Sequence, residues 1–311
     1  MIQHGGICQV IGMYVLALPQ LPRRARVIRT SVLTLLLLCL GPMSPANAAF
    51  PGENGLLAFV REGDVRGIWT LDDFALTRLT HGIDYRPRWS PNGQRIVFQR
   101  FSGNHSNIFV MNADGSNLSQ LTKRGGFQPA WSSDGTQIVF GSERDGDEDI
   151  FTMAADGSDE TKLTHDTFDD VTPAWSPDGS RIAYTSRRRH NSDVYLIDPD
   201  GSYERRFTRS SAMDASPDWA PDGSAIAFQS RRDGWDIFSK DLDGGRPVQL
   251  TRGTASEWAP AWSPDGTKIA YTLLRTRPGV EDIVILDLST GERLRLTTPG
   301  TYDLQPNWQP A

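Results

Sequence analysis

Six of the nine tryptophans, at positions 89, 131, 175, 219, 262 and 308, recur at intervals of 42, 44, 44, 43 and 46 residues. A period of this length means one supersecondary unit copied along the chain. The flanking residues are copied with it. Pro87-Arg-Trp89-Ser-Pro-Asn-Gly93 is followed by Pro129-Ala-Trp131-Ser-Ser-Asp-Gly135 and Pro173-Ala-Trp175-Ser-Pro-Asp-Gly179. Pro217-Asp-Trp219-Ala-Pro-Asp-Gly223, Pro260-Ala-Trp262-Ser-Pro-Asp-Gly266 and Pro306-Asn-Trp308-Gln-Pro310 complete the series.

Each unit reads as four short strands. The first ends on the tryptophan, and the Pro-Asp-Gly after it is a tight turn, with Pro fixing φ and Gly accepting φ > 0. The second is an apolar triplet: Ile96-Val-Phe98, Ile138-Val-Phe140, Ile182-Ala-Tyr184, Ile226-Ala-Phe228 and Ile269-Ala-Tyr271. The third carries Ile108-Phe109, Ile150-Phe151, Val194-Tyr195, Ile237-Phe238 or Ile283-Val284, and an Asp-Gly or Thr-Gly hairpin turn leads out of it. The fourth closes on Leu121-Thr122, Leu163-Thr164, Phe207-Thr208, Leu250-Thr251 or Leu296-Thr297. Four-strand units of about 40–45 residues are blades of a β-propeller.

The ends set the count. Gly55–Phe59, Gly67–Leu71 and Arg78–Thr80 read as second, third and fourth strands without a first, while the chain stops just after the first-strand segment around Trp308. The C-terminal strand therefore completes the N-terminal blade. The expectation is an all-β, six-bladed β-propeller over residues 49–311, closed so that no sheet edge is left open.

Residues 20–48 follow a different logic. Arg23, Arg24, Arg26 and Arg29 precede the apolar run Ser31–Leu40, and Ala46-Asn47-Ala48 is an A-x-A cleavage site. This is the pattern of a secretory signal peptide, so residues 1–48 are expected to be removed and the propeller to be periplasmic or secreted. The ten-residue run is half the roughly 20 residues that a membrane-spanning helix needs, and no helical span is expected. The chain carries a net charge of −6; loss of the leader's four arginines leaves −10 on a mature chain without cysteine. An acidic chain is a poor nucleic-acid binder, and no thiolate chemistry is available to it.

A residue kept in every blade serves the blade first, so the tryptophans are expected to pack between blades. The candidate site lies where the units differ. Five positions before each tryptophan stand Asp84, Gly126, Asp170, Asp214, Glu257 and Asp303, at the start of the first strand and so near the channel mouth. The loops between second and third strands on the same face carry Arg144, Arg188 and Arg232. These residues are expected either to lock blades together as ion pairs or to form a rim that binds a protein or peptide partner. Converging carboxylates also suit a hard, oxygen-liganded cation such as Ca²⁺. His165, near Asp166, Asp169 and Asp170, suits metal binding or acid–base work, although solvated loop residues are the expected reading. No G-x-S-x-G, P-loop or H-E-x-x-H motif occurs.

The full repeat, P-x-W-S-P-D-G-x-x-I-A-(F/Y)-x-S-x-R followed by D-I-(F/Y), D-G-S and L-T, resembles that of the TolB-type WD-like propellers across residues 52–311. The resemblance does not extend to the α/β domain that precedes the propeller in that family. It implies an exported propeller that docks an envelope partner, the peptidoglycan-associated lipoprotein Pal in that family, and can hold Ca²⁺ in its channel. The function expected is a monomeric, non-enzymatic binding or scaffolding propeller; the alternative is a propeller hydrolase or lyase with its site on the same face.

Overall fold

A computed structural model describes residues 54–72, 75–188, 190–275, 281–296 and 301–310. The signal peptide expected over residues 1–48 lies outside them. Blade I joins β24 (Asp303–Trp308) to β1 (Leu57–Arg61), β2 (Gly67–Asp72) and β3 (Ala75–Arg78). Blade II holds β4 (Ile83–Trp89), β5 (Arg95–Ser102), β6 (His105–Asn112) and β7 (Ser119–Gln120). Blade III holds β8 (Phe127–Trp131), β9 (Gln137–Ser142), β10 (Asp149–Ala154) and β11 (Thr161–Lys162). Blade IV holds β12 (Asp169–Trp175), β13 (Ile182–Arg188), β14 (Asn191–Ile197) and β15 (Arg205–Arg206). Blade V holds β16 (Asp214–Trp219), β17 (Ala225–Arg231), β18 (Trp235–Asp241) and β19 (Val248–Gln249). Blade VI holds β20 (Ser256–Trp262), β21 (Lys268–Leu274), β22 (Glu281–Asp287) and β23 (Arg293–Arg295). All the pairings within these sheets are antiparallel, and the first-strand elements contact one another in a closed ring. The structure is the six-bladed propeller read from the repeat, with the C-terminal strand completing the first blade.

The tryptophans are the wedges between blades. Trp89 packs on Ala58 and Ile68 of blade I, Trp131 on Val97 and Ile108 of blade II, and Trp219 on Ala174 and Val194 of blade IV. Trp131 and Trp219 also donate Nε1–H to the carbonyls of Arg88 and Ala174 in the blade before. Burial of each such ring contributes about 2–3 kcal/mol. The Leu-Thr endings have a separate use. The hydroxyls of Thr80, Thr122, Thr164, Thr208 and Thr251 accept the N–H of Ile68, Ile108, Ile150, Val194 and Ile237 at 2.8–3.0 Å.

Every inner strand carries a bulge just before its proline. Arg86, Gln128, Thr172, Ser216, Ala259 and Gln305 adopt φ of 51–55°, and the ladder to the second strand shifts register there. Non-glycine residues are held in this left-handed region only when the surroundings compensate. Here the compensation is a side-chain acceptor from the preceding blade. Gln99, Thr185, Gln229 and Thr272, each one residue after the second-strand aromatic, take the amides of Gln128, Ser216, Ala259 and Gln305. In the other two blades that position is Val60 or Gly141, which offer no acceptor. There Gln305 and Gln128, themselves bulge residues, accept the amides of Arg86 and Thr172 at 2.8 Å.

Candidate functional site: the channel and its upper rim

The bulge decides where the repeated carboxylates point. In blade II, Trp89 pairs with Ile96 and Asp84 with Arg100, so five steps along β4 match four along β5. An odd spacing would put the two side chains on opposite faces of the sheet. The extra residue returns the carboxylate to the tryptophan's face, between blades. Asp84, Asp170, Asp214, Glu257 and Asp303 are accordingly 0–2% exposed and lie beneath the rim instead of lining the channel mouth.

Most of them are held by the residue opposite or by another side chain of the same blade or of the segment leading into it. Arg100 grips Asp84 with Nε and Nη2 at 2.6 and 2.8 Å, and Arg61 grips Asp303 in the same two-pronged way. Ser230 and Ser210 donate to Asp214 at 2.6 and 3.0 Å, and Arg293 donates to Glu257 at 3.1 Å. Asp170 is the exception: no guanidinium and no well-aligned donor holds its oxygens, and the Ser186 and Thr164 hydroxyls are its nearest polar neighbours. Burial above all pushes its pKa up to about 7, with Asp166 adding to the shift and Ser186, Thr164 and Arg188 opposing it. His165 stands exposed at the surface while Asp170 is enclosed, so the two do not form an acid–base pair.

The loop arginines turn inward. Arg144, Arg188 and Arg232 each donate Nε–H to the serine two residues earlier, Ser142, Ser186 or Ser230. Their guanidinium groups lie 4.6, 4.2 and 4.3 Å from the ring centres of Phe151, Tyr195 and Phe238 on the third strands. Arg144 pairs with Glu160, and Arg188 with Asp166 and Glu204. Arg61 and Arg100 place their guanidinium groups over the third-strand rings of Trp69 and Phe109 from a position two residues nearer the aromatic. Five blades thus hold a cation at one place in space from two places in sequence. Arg232 alone among the three loop arginines is both exposed and without a carboxylate.

The inner wall holds charges that the repeat does not announce. Arg88 and Asp218, both just before their tryptophans in blades three steps apart around the ring, meet across the axis at 2.9 Å. Asp218 also accepts the Trp262 amide at 2.9 Å. Arg86 shares this wall with Arg88, Gln128, Thr172, Ser216 and the prolines. Burial, then the charge of Arg88, pushes the pKa of Arg86 down to about 10.

The sequence profile of the TolB beta propeller domain matches residues 74–172 and 167–311. The chain belongs to the TolB beta-propeller family. TolB from Acinetobacter baumannii is similar in structure, with a TM-score of 0.74 at 21% identity, over 83% of this chain and 67% of that one. A chain of a nidogen/laminin complex gives 0.69 at 13% identity, over 82% and 98%. The oligogalacturonate lyase of Vibrio parahaemolyticus gives 0.52 at 15%, over 78% and 72%. No curated protein matches the chain. These similarities share the fold; the TolB likeness agrees with the sequence repeat that led to it.

The channel Ca²⁺ that the TolB family implies meets an unsuitable wall here. Oxygen-liganded calcium takes six to eight oxygens, several of them carboxylate. The wall offers two arginines and one carboxylate already bound to one of them. Among the described residues no three acidic, histidine or cysteine side chains converge to hold a metal.

Proposed function

We propose that this TolB-family propeller is an exported, monomeric, non-enzymatic module that binds a protein or peptide partner on the face carrying the loops between second and third strands. The observation that carries the reading is the placement of exposed apolar groups on that face. Val65, Ile83, Trp258 and Tyr302 are 37–45% exposed, and they belong to blades VI, I and II, which are consecutive in the ring. Between them, Glu62, Arg66, Ile83 and Tyr85 help line a cleft of about 100 Å³, where Tyr85 donates its hydroxyl to Glu62. Apolar groups gathered beside polar ones suit a protein interface. Arg232 supplies an exposed cation on the same face, and the buried carboxylates Asp84, Asp214, Glu257 and Asp303 hold the rim from below. Export rests on the leader pattern of residues 20–48, and a Pal-like envelope lipoprotein is the partner to try first.

The test is retention of purified Pal, and of envelope proteins, on the immobilised mature chain. Ile83→Glu and Trp258→Glu are expected to abolish retention, while Tyr203→Glu, at a turn on the opposite face, leaves it intact. Equal recovery by all three variants would overturn the assignment of this face.

A further inference from the structure

The axis of the propeller carries an unbalanced charge. Arg86 and Arg88 project from β4 into the inner wall, and Asp218 answers only Arg88. The guanidinium of Arg86 has no hydrogen-bond, ion-pair or ring partner among the described residues. A half-buried guanidinium beside a second one inside a narrow channel is favoured by a counter-charge. The other wall residues are neutral, and two of them bring donors. Gln128 uses its Oε1 to accept the Thr172 amide, which leaves its Nε2–H groups unused, and the Ser216 hydroxyl also lines the wall.

We propose that the channel is an anion site, and that a halide-sized monovalent anion sits against Arg86. The free volume enclosed by this wall is about 10 Å³, the space of a single water. So narrow a space favours a monatomic ion over a tetrahedral oxyanion. With it in place the axis holds two cations and two anions. The depressed pKa of Arg86, caused by burial and by Arg88, reports the same shortage of negative charge. The inference stands apart from the partner-binding face and rests on Arg86, Arg88 and Asp218 with the neutral wall around them.

Thermal unfolding of the full mature chain, titrated with sodium chloride or bromide against sodium gluconate at fixed ionic strength, tests it. A saturable rise in Tm of about 2–4 °C is expected for a site filled well above its dissociation constant. Arg86→Gln should flatten the titration. That variant keeps the fold, because glutamine already occupies the equivalent left-handed bulge at Gln128 and Gln305. Asp218→Asn, which frees Arg88, should steepen the response. In crystals grown in bromide, an anomalous peak is expected beside Arg86. The proposal is overturned if wild type and Arg86→Gln respond alike, if sulfate stabilises as chloride does, or if the bromide peak is absent. It is equally overturned if Ca²⁺ at constant chloride raises Tm in wild type and not in Asp218→Asn.

Discussion

Asp170 is the residue at which the rim departs most from its own pattern. Its counterparts Asp84 and Asp303 each meet a guanidinium; it faces the Ser186 hydroxyl without one. Its pKa of about 7 lies above the unfolded value of about 3.9, so the folded protein binds its proton more tightly than the unfolded chain does. The consequence has a definite sign. Ionisation of Asp170 works against folding progressively from about pH 4 to 7 and by a constant amount above that range. Asp170→Asn is expected to match wild type near pH 4 and to be more stable by about 2–4 kcal/mol at pH 8. Urea unfolding midpoints at both pH values measure this, and a difference independent of pH would show that ionisation is not the cause.

Among the elements, the inner strands hold what the sequence shows and what it conceals. The four strands of each blade, their turns and the wedge role of Trp89 and Trp131 were legible because residue type and period report local geometry directly. The direction of Asp84 was not, because it depends on parity, and one bulge residue reverses parity along a strand. A proline preceded by any of Arg, Gln, Thr, Ser or Ala gives no composition signal for that bulge; only the register of β4 against β5 reveals it. The channel charges were missed for a related reason: Arg88 and Asp218 look ordinary in single units and become a pair only when the ring brings blades II and V face to face. The compensation at Gln305 gives a test at this scale. Gln305→Ala removes the acceptor for the Arg86 amide and is expected to cost about 1–2 kcal/mol. Adding Val60→Thr puts a hydroxyl where Thr185 and Thr272 already act in other blades, and should recover part of the loss. No recovery in the double variant would mean that the amide is satisfied in another way. The same rescue is closed at Gly141, where an added Cβ would lie 2.2 Å from the Phe127 ring.

For the whole molecule, closure is the property with the largest consequences. β24 pairs with β1 from Leu57↔Trp308 to Arg61↔Asp303, and Gln309 donates its amide to Leu56. Removal of residues 302–311 would strip Asp303 from Arg61 and leave β1 as an open edge. That variant is expected to elute as oligomers or aggregates in size-exclusion chromatography, and the intact chain as a monomer. A truncated chain that stays monomeric with an unchanged Tm would deny the seam its role.

The chain of bulge contacts has a mechanical meaning as well. Each inner strand is tied to the blade before it, from Gln305 on Thr272 through Arg86 on Gln305 to Ala259 on Gln229, with no link missing around the circle. Such a circuit acts as a hoop. Outward strain on one blade is shared by its neighbours, and the innermost wall yields last. The outermost strands of blades II to V are two residues long and carry no such tie, so deformation is taken up at the fringe while the bore keeps its diameter.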